Sequence, residues 1–386
     1  MVAHSIEAII ADAQKYSAPG IVLSVMESNG STHHFSSGLS DLKDNTPAQH
    51  DQSFLIGKNT RLFVAVMLLK LVEQSRLNLD APLDGIAREN QLDSGRLQII
   101  IDQYTYLKPV TVRELLNNTS GLSSFDKTLN YERAFFSKPK KVWQSEGYLD
   151  LITGYDVGYQ RYYEPAVRGF FNDSMTNYIV AGLVFEAITG IHPSQQLPLL
   201  FKEYGLKNTL YFRQGILTED AIQQLAHGYL PLSHPHAVAF ERRPIHSYND
   251  NKELQVYDVT GAYNLNGLVG GAAASSTADL LHWIHSLMQE KILTGTLPDM
   301  FTMTPVDFKK PFLNAKDSYG LGIYKTIFDN YGEIVWSTGN TYGYGVLVAY
   351  SVDKNISLSL AVNVSRERLY IHNTGIVRDV LDFLLL

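Results

Sequence analysis

Apolar residues recur at helical spacing in the first segment, at Ile6, Ile9, Ile10 and Ala13, with Glu7, Asp12 and Lys15 between them. This predicts an amphipathic helix. Gly20-Ile21-Val22-Leu23-Ser24-Val25-Met26 then reads as a strand, Asn29-Gly30 as a tight hairpin turn, and Thr32 to Gly38 as the returning strand. Helical periodicity resumes from Thr60 to Gln74 through Leu62, Val66, Leu69 and Leu71-Val72. From Ala81 to Arg243 the pattern is mainly helix and loop, with a long helix over Asn177 to Thr189 that Gly190 ends. Tyr229 to Asn251, with Pro231, Pro235 and Pro244 among His and Arg residues, reads as a surface loop. Strand signals return at Tyr319 to Tyr324, Ile334 to Trp336, Gly345 to Tyr350 and Ile356 to Val362, and Arg366 to Leu386 closes with a helix.

Two strands at the start and four at the end imply one sheet built from both termini. The expected division is residues 1–60 and 255–386 as an α/β sheet domain and 61–254 as a mainly helical domain. At 386 residues the chain is long enough for two such intimately packed parts. A formal charge of −7 argues against general nucleic-acid binding, and the absence of cysteine excludes disulfides, thiolate metal sites and a Cys nucleophile. The start lacks the basic residues and unbroken apolar run of a secretory signal, and no stretch has the roughly 18 apolar residues of a membrane span. The expected location is the cytoplasm, or the exterior if a leader has been removed.

Phe54-Leu55-Ile56-Gly57-Lys58-Asn59-Thr60-Arg61-Leu62-Phe63 resembles the F-x-I-G-S-x-x-K-x-F stretch of serine β-lactamases, penicillin-binding proteins and related esterases. Further segments follow in the same order as in that family. They are Leu71 to Leu83, Val110-Thr111-Val112-Arg113-Glu114-Leu115-Leu116-Asn117-Asn118-Thr119-Ser120-Gly121-Leu122, Asn177 to Gly190, Ser276 to Leu280, and Thr338-Gly339-Asn340-Thr341-Tyr342-Gly343-Tyr344. The resemblance covers nearly the whole chain. It implies an α/β fold of the β-lactamase and penicillin-binding-protein kind, an antiparallel sheet flanked by helices with an inserted helical lobe, and no cofactor.

Against that resemblance the chemical positions differ. Lys58 stands where the family has its acyl-accepting Ser, and Arg61 where it has the Lys that takes the proton. Lys is no substitute for a hydroxyl, and Arg does not deprotonate at physiological pH. The family's Y-x-N motif falls on Asp173-Ser174-Met175 in one frame and on Phe171-Asn172-Asp173 in the other; neither supplies a phenol, and both bring Asp173 to the pocket. K/H-T-G becomes Ser337-Thr338-Gly339, which with Asn340 still offers hydroxyls and a backbone edge. Asn118 stands where the family commonly has a His.

The expected catalytic set is therefore Lys58, Arg61 and Asp173, and the expected substrate-binding set Asn118, Ser337, Thr338, Gly339 and Asn340. Lys58 and Arg61, three apart at a helix start, meet the positive end of the helix dipole and call for an anion. Asp173 is one candidate and a ligand carboxylate or phosphate another. The expected partner is a small molecule or peptide, with anionic ligands prominent. Three outcomes stay open: new acid–base or covalent chemistry at Lys58, ligand binding without turnover, and an inert ion pair filling the space of a lost serine. Ser120 and Ser174 are weak alternative nucleophiles, since Gly-x-Ser-x-Gly is absent. His282 and His285 lack a third metal ligand, and His234-Pro235-His236 reads as loop surface. Gly267 to Gly271 lacks the Lys of a phosphate loop. Tyr155, Tyr159, Tyr162 and Tyr163 read as packing residues or the lining of an aromatic cleft.

Overall fold

The computed structural model describes residues 5–152, 167–247, 255–265, 268–306, 315–365, 369 and 375–386. Tyr155, Tyr159, Tyr162, Tyr163, Gly267 and Arg366 lie outside the described residues. The main sheet has nine strands: β1 (Gly20–Met26), β2 (Thr32–Asp41), β3 (Thr46–Pro47), β4 (Thr304–Pro305), β5 (Ala315–Tyr319), β6 (Tyr324–Phe328), β7 (Gly332–Thr341), β8 (Tyr344–Ser351) and β9 (Ile356–Val362). Their spatial order is β4-β5-β6-β7-β8-β9-β1-β2-β3. The antiparallel seam between β1 and β9, from Ile21 opposite Val362 to Met26 opposite Ser357, joins the two ends of the chain.

Period-two alternation sorts each strand between two layers. Ile21, Leu23 and Val25 join Ile334, Trp336, Leu347 and Leu360 beneath helices α1 (Ile6–Ser17) and α5 (Ile376–Leu385), whose Ile6, Ile10, Val377 and Leu381 fill that side. On the opposite face Val22, Val335, Val346, Val348 and Ala361 meet the larger core of the helical lobe. Helix α2 (Thr60–Glu73) and helix α3 (Met175–Thr189) run through that core and are buried on nearly every side, which explains their weak amphipathic signal. Helix α4 (Thr277–Met288) lies over the sheet, and Ser24 on β1 bonds its Thr277 at 2.8 Å.

Two sequence expectations change. The strand expected over Tyr319 to Tyr324 is the turn joining β5 to β6. Gly322 has a φ of +85°, and a side chain on Gly320 would meet the Met300 carbonyl at 2.1 Å, so these glycines serve a reversal and a close approach. The described part of the expected Tyr229 to Asn251 loop contains strands Tyr229–Pro231 and Ile245–Ser247, both paired with Gln255–Asp258. Strands of three residues are too short to show a periodicity, and the prolines at their ends masked them.

The feature that positions the site is the far half of β7. Its first half pairs with β6 only as far as Trp336, opposite Tyr324, whereas Ser337 to Thr341 pair with β8 alone. The turn Gly57–Asn59 at the start of α2 packs against the face of this half and leaves its edge open. A Cβ on Gly339 would stand 1.7 Å from the Ile56 carbonyl oxygen and 2.8 Å from the Lys58 amide nitrogen. Gly57, at φ +48°, lies against Asn340 in turn. Only the missing side chain lets the two backbones touch.

Gly339→Ala must push turn and strand apart, and a loss of about 1–3 kcal/mol is expected from overpacking. Gly85→Ala, in the helix Leu83–Glu89 with nothing within 4 Å of its added methyl, should instead stabilise by about 0.5–1 kcal/mol. Urea unfolding midpoints of the two variants against the parent check the contrast.

Candidate functional site

Three local structures converge beside the β7 edge. The first is the Gly57–Asn59 turn. Thr60 Oγ1 donates to the Gly57 carbonyl at 2.7 Å, and the Asn59 amide donates to Val346 O on β8 at 3.1 Å. Lys58 is thereby held between sheet and helix, with its side chain 30% exposed. One turn on, Arg61 points inward and is 3% exposed, its guanidinium 4.8 Å over the Tyr178 ring.

The second is the segment after the short helix Val112–Leu116, which a Thr111–Glu114 capping box starts. Asn118 takes a left-handed φ of 61° and is fully buried. Its backbone carbonyl accepts from Asn172 N at 2.8 Å, and its side-chain oxygen from Ser174 N at 3.2 Å and Asn177 Nδ2 at 2.9 Å. Asn118 is thus a brace that fixes the chain on either side of Asp173, and its bonds go to protein groups.

The third is that chain itself, leading into α3. The Asp173 carboxylate accepts hydrogen bonds from Lys58 Nζ on one oxygen and Arg61 Nη1 on the other. Lys127, from the turn Phe125–Lys127, donates to the Asp173 carbonyl at 2.6 Å. Phe171 packs on Tyr319 and Tyr324, with ring centres 5.2 and 6.3 Å away. Of the two residues that could fill the first place of the second motif, Asp173 therefore supplies the charge and Phe171 packing.

Burial would raise the Asp173 pKa, but Arg61, Lys58 and Lys127 outweigh it and hold the carboxyl well below the usual range. Burial opposes the charge on Arg61, and Asp173 more than restores it. Lys127 is pulled down by burial, with Asp173 opposing and Lys58 and Arg61 adding to the fall. Asp126 lies beside it and favours its charged form. One carboxylate thus faces three cations.

The remaining expected residues fall into place around this group. Thr338 is buried and its hydroxyl donates to Val346 O at 3.2 Å and to Leu369 O, so what this stretch offers the cleft is the backbone edge of Ser337 to Asn340. Ser120 is buried and its Oγ donates to Asn177 Oδ1 at 2.6 Å and accepts from Leu122 N, while the Ser174 hydroxyl is fully buried. His285 bonds Ser357, and no group of three or more His, Cys, Asp or Glu among the described residues is arranged to hold a metal ion. His234 and His236 both lie about 6.0 Å from the Tyr342 ring, within an aromatic group. Among the described residues, no helix is long and apolar enough to cross a membrane. Sequence reasoning missed Lys127, Tyr178 and Tyr319. Only the position of Lys127 shortly after Thr-Ser-Gly-Leu hinted at its place, whereas the two phenols, bonded at 3.2 Å beside Arg61, are 141 residues apart.

Removing the carboxylate should show what it does. Asp173→Ala leaves a guanidinium buried without its counter-charge, and a loss of about 3–5 kcal/mol is expected. The folded-state pKa of Asp173 is depressed, so its contribution is complete above the unfolded value of about 3.9 and fades as pH falls toward the folded value. Urea midpoints measured from pH 7 to pH 2.5 should therefore converge for the parent and Asp173→Asn in acid and stay apart near neutrality.

The Beta-lactamase family profile matches residues 6–381. Penicillin-binding protein 4* of Bacillus subtilis (strain 168) is 21% identical over 361 residues, covering 92% of this chain and 70% of that protein. Protein flp of Staphylococcus aureus (strain MW2) is 25% identical over 280 residues, and the match spans 71% of this chain but 46% of flp. D-amino acid amidase from Ochrobactrum anthropi SV3, solved with L-phenylalanine, superposes with a TM-score of 0.75 at 22% identity, over 98% of this chain and 97% of the amidase. The penicillin-binding protein from Bacillus halodurans gives 0.69 at 18%, over 98% and 100%. At such identities structural likeness shows the fold, and the fold is common to many functions. The match over nearly the whole chain settles the family: this protein belongs to the Beta-lactamase family.

Proposed function

We propose that this member of the family lacks the serine nucleophile and uses the cleft to bind a small acyl, amide or peptide ligand through an anionic group, with Lys58 as the contact. The observation that carries the reading is the pairing at Asp173, where Lys58 and Arg61 bring two cations to one carboxylate. An ammonium held by a carboxylate has no free lone pair with which to attack a carbonyl or take a proton, which favours binding over turnover at Lys58. Ser120 and Ser174 are both buried, which argues against either as a substitute nucleophile. Lys58 is the one of the pair with solvent access, and the unpaired β7 edge beside it suits an amide or carboxylate. A relative in fold was solved with L-phenylalanine, a small molecule that carries a carboxylate.

Incubation with a fluorescent penicillin followed by a denaturing gel should give no covalent band, and a stoichiometric band lost in Ser120→Ala or Ser174→Ala would overturn the reading. In calorimetric titrations with phenylalanine and N-acetylated amino acids, Lys58→Met should weaken binding of the responding ligand by about 1.5–3 kcal/mol, the worth of a hydrogen bond to a charged group. Equal affinity in parent and variant would remove Lys58 from the site. Lys58→Ser with Arg61→Lys should not gain esterase activity, because a base works only when position and pKa are tuned together.

A further inference from the structure

Behind the open side of the cleft lies a second set of polar groups that the first does not use. Arg61 gives Nη1 to Asp173 and meets the Tyr319 phenol; its Nε and Nη2 are buried and carry three N–H groups, more than that one oxygen takes up. The Asn118 Nδ2 and the Ser174 hydroxyl are buried with no hydrogen-bond partner. All three residues are more than nine-tenths buried. The Asn118 orientation is fixed, because its oxygen accepts from the Ser174 backbone N–H, which can only donate. Its nitrogen is therefore a true donor with nothing to donate to. Ser174 is the N-cap residue of α3, a helix of 15 residues, yet its side chain makes no capping bond.

These groups belong together. Ser174 bonds Asn118 and follows Asp173, the partner of Arg61. Arg61 lies over Tyr178 in the first turn of α3. Arg61 and Asn118 offer only donors here, and the Ser174 hydroxyl can act as one. Asn59 Oδ1 is an orphaned acceptor nearby, but its side chain is pinned to Val346 on the sheet side. A buried donor without a partner is destabilising, so three residues with donors left over around one helix start call for a common acceptor. The positive end of α3 and the guanidinium of Arg61 decide its charge.

We propose that Arg61, Asn118 and Ser174, at the N-terminus of α3, form an internal site for one small inorganic monoanion of halide size. It lies on the inward side of Arg61, away from Lys58, and a larger organic ligand in the cleft does not reach it. The anion completes the bonds of the guanidinium and takes the place of the missing N-cap bond. It also shares the neutralisation of Arg61 with Asp173.

The test uses the full chain and bromide. Crystals grown in sodium bromide and measured at the bromine edge should show an anomalous peak within about 3.5 Å of Arg61 Nε or Nη2 and of Ser174 Oγ. In solution the unfolding midpoint should rise by about 2–5 °C over a hundredfold increase in chloride or bromide at constant ionic strength kept with gluconate. Ser174→Ala removes a hydroxyl with no partner, so the variant folds, and its halide response should fall at least twofold. A density there with no anomalous signal marks an ordered water, and it overturns the proposal. So does a midpoint that follows ionic strength alone or a Ser174→Ala response equal to the parent's. The carboxylate titration of Lys58→Met is read separately. Loss of ligand binding with the halide response intact removes only the proposed cleft function, and the reverse result removes only the internal site.

Discussion

A guanidinium 3% exposed requires a counter-charge, and the arrangement around Arg61 follows from that requirement. Asp173 supplies the charge, but it lies 112 residues away in sequence and on a segment with little regular structure of its own. The segment is held by Asn118, whose backbone carbonyl and side-chain oxygen take the amides of Asn172 and Ser174. Asn118 can do this because its left-handed turn directs both acceptors the same way. Arg61, Asp173 and Asn118 thus connect the starts of α2 and α3 and the end of Val112–Leu116. Asp173 owes its place to the other two.

Close backbone contact provides the other fixed coordinate. Gly339 lets the Gly57–Asn59 turn rest on the face of the strand, and the Asn59 amide ties that turn to β8. The cleft therefore has one wall of sheet backbone and one of ionic side chains. Membership of the Beta-lactamase family goes with the large antiparallel sheet and its inserted helical lobe. What the chemistry between them does depends on the particular groups, and here a lysine, an arginine and an aspartate are bonded to one another. Ion pairs of this sort keep Lys58 in place.

Much of this was legible in the chain. Alternating Ile21, Leu23 and Val25 and the Asn29-Gly30 turn gave the first hairpin, because period-two burial and a tight turn are local properties. The spacing of Lys58 and Arg61 put them on one side of a helix start, and their like charge called for an anion, which Asp173 provides. Less legible were the three-residue strands at Tyr229–Pro231 and Ile245–Ser247, whose pairing with Gln255–Asp258 is not a local property. The β5–β6 reversal was missed because a run of apolar residues through Gly320 and Gly322 has a strand-like composition.

By itself the sequence determined the family, the sheet made from both chain ends, and the identity of the charged residues, since patterns of burial and helix geometry act over a few residues at a time. Tertiary structure alone decided how those charges are shared. Lys127 reaches Asp173 from a turn 46 residues earlier, Tyr178 and Tyr319 meet beside Arg61, and the Thr338 hydroxyl turns to backbone carbonyls. It also decided which donors are left over at Arg61, Asn118 and Ser174. Hydrogen bonds and desolvation depend on distances of a few ångströms between segments far apart in sequence, and those distances exist only once the core has packed.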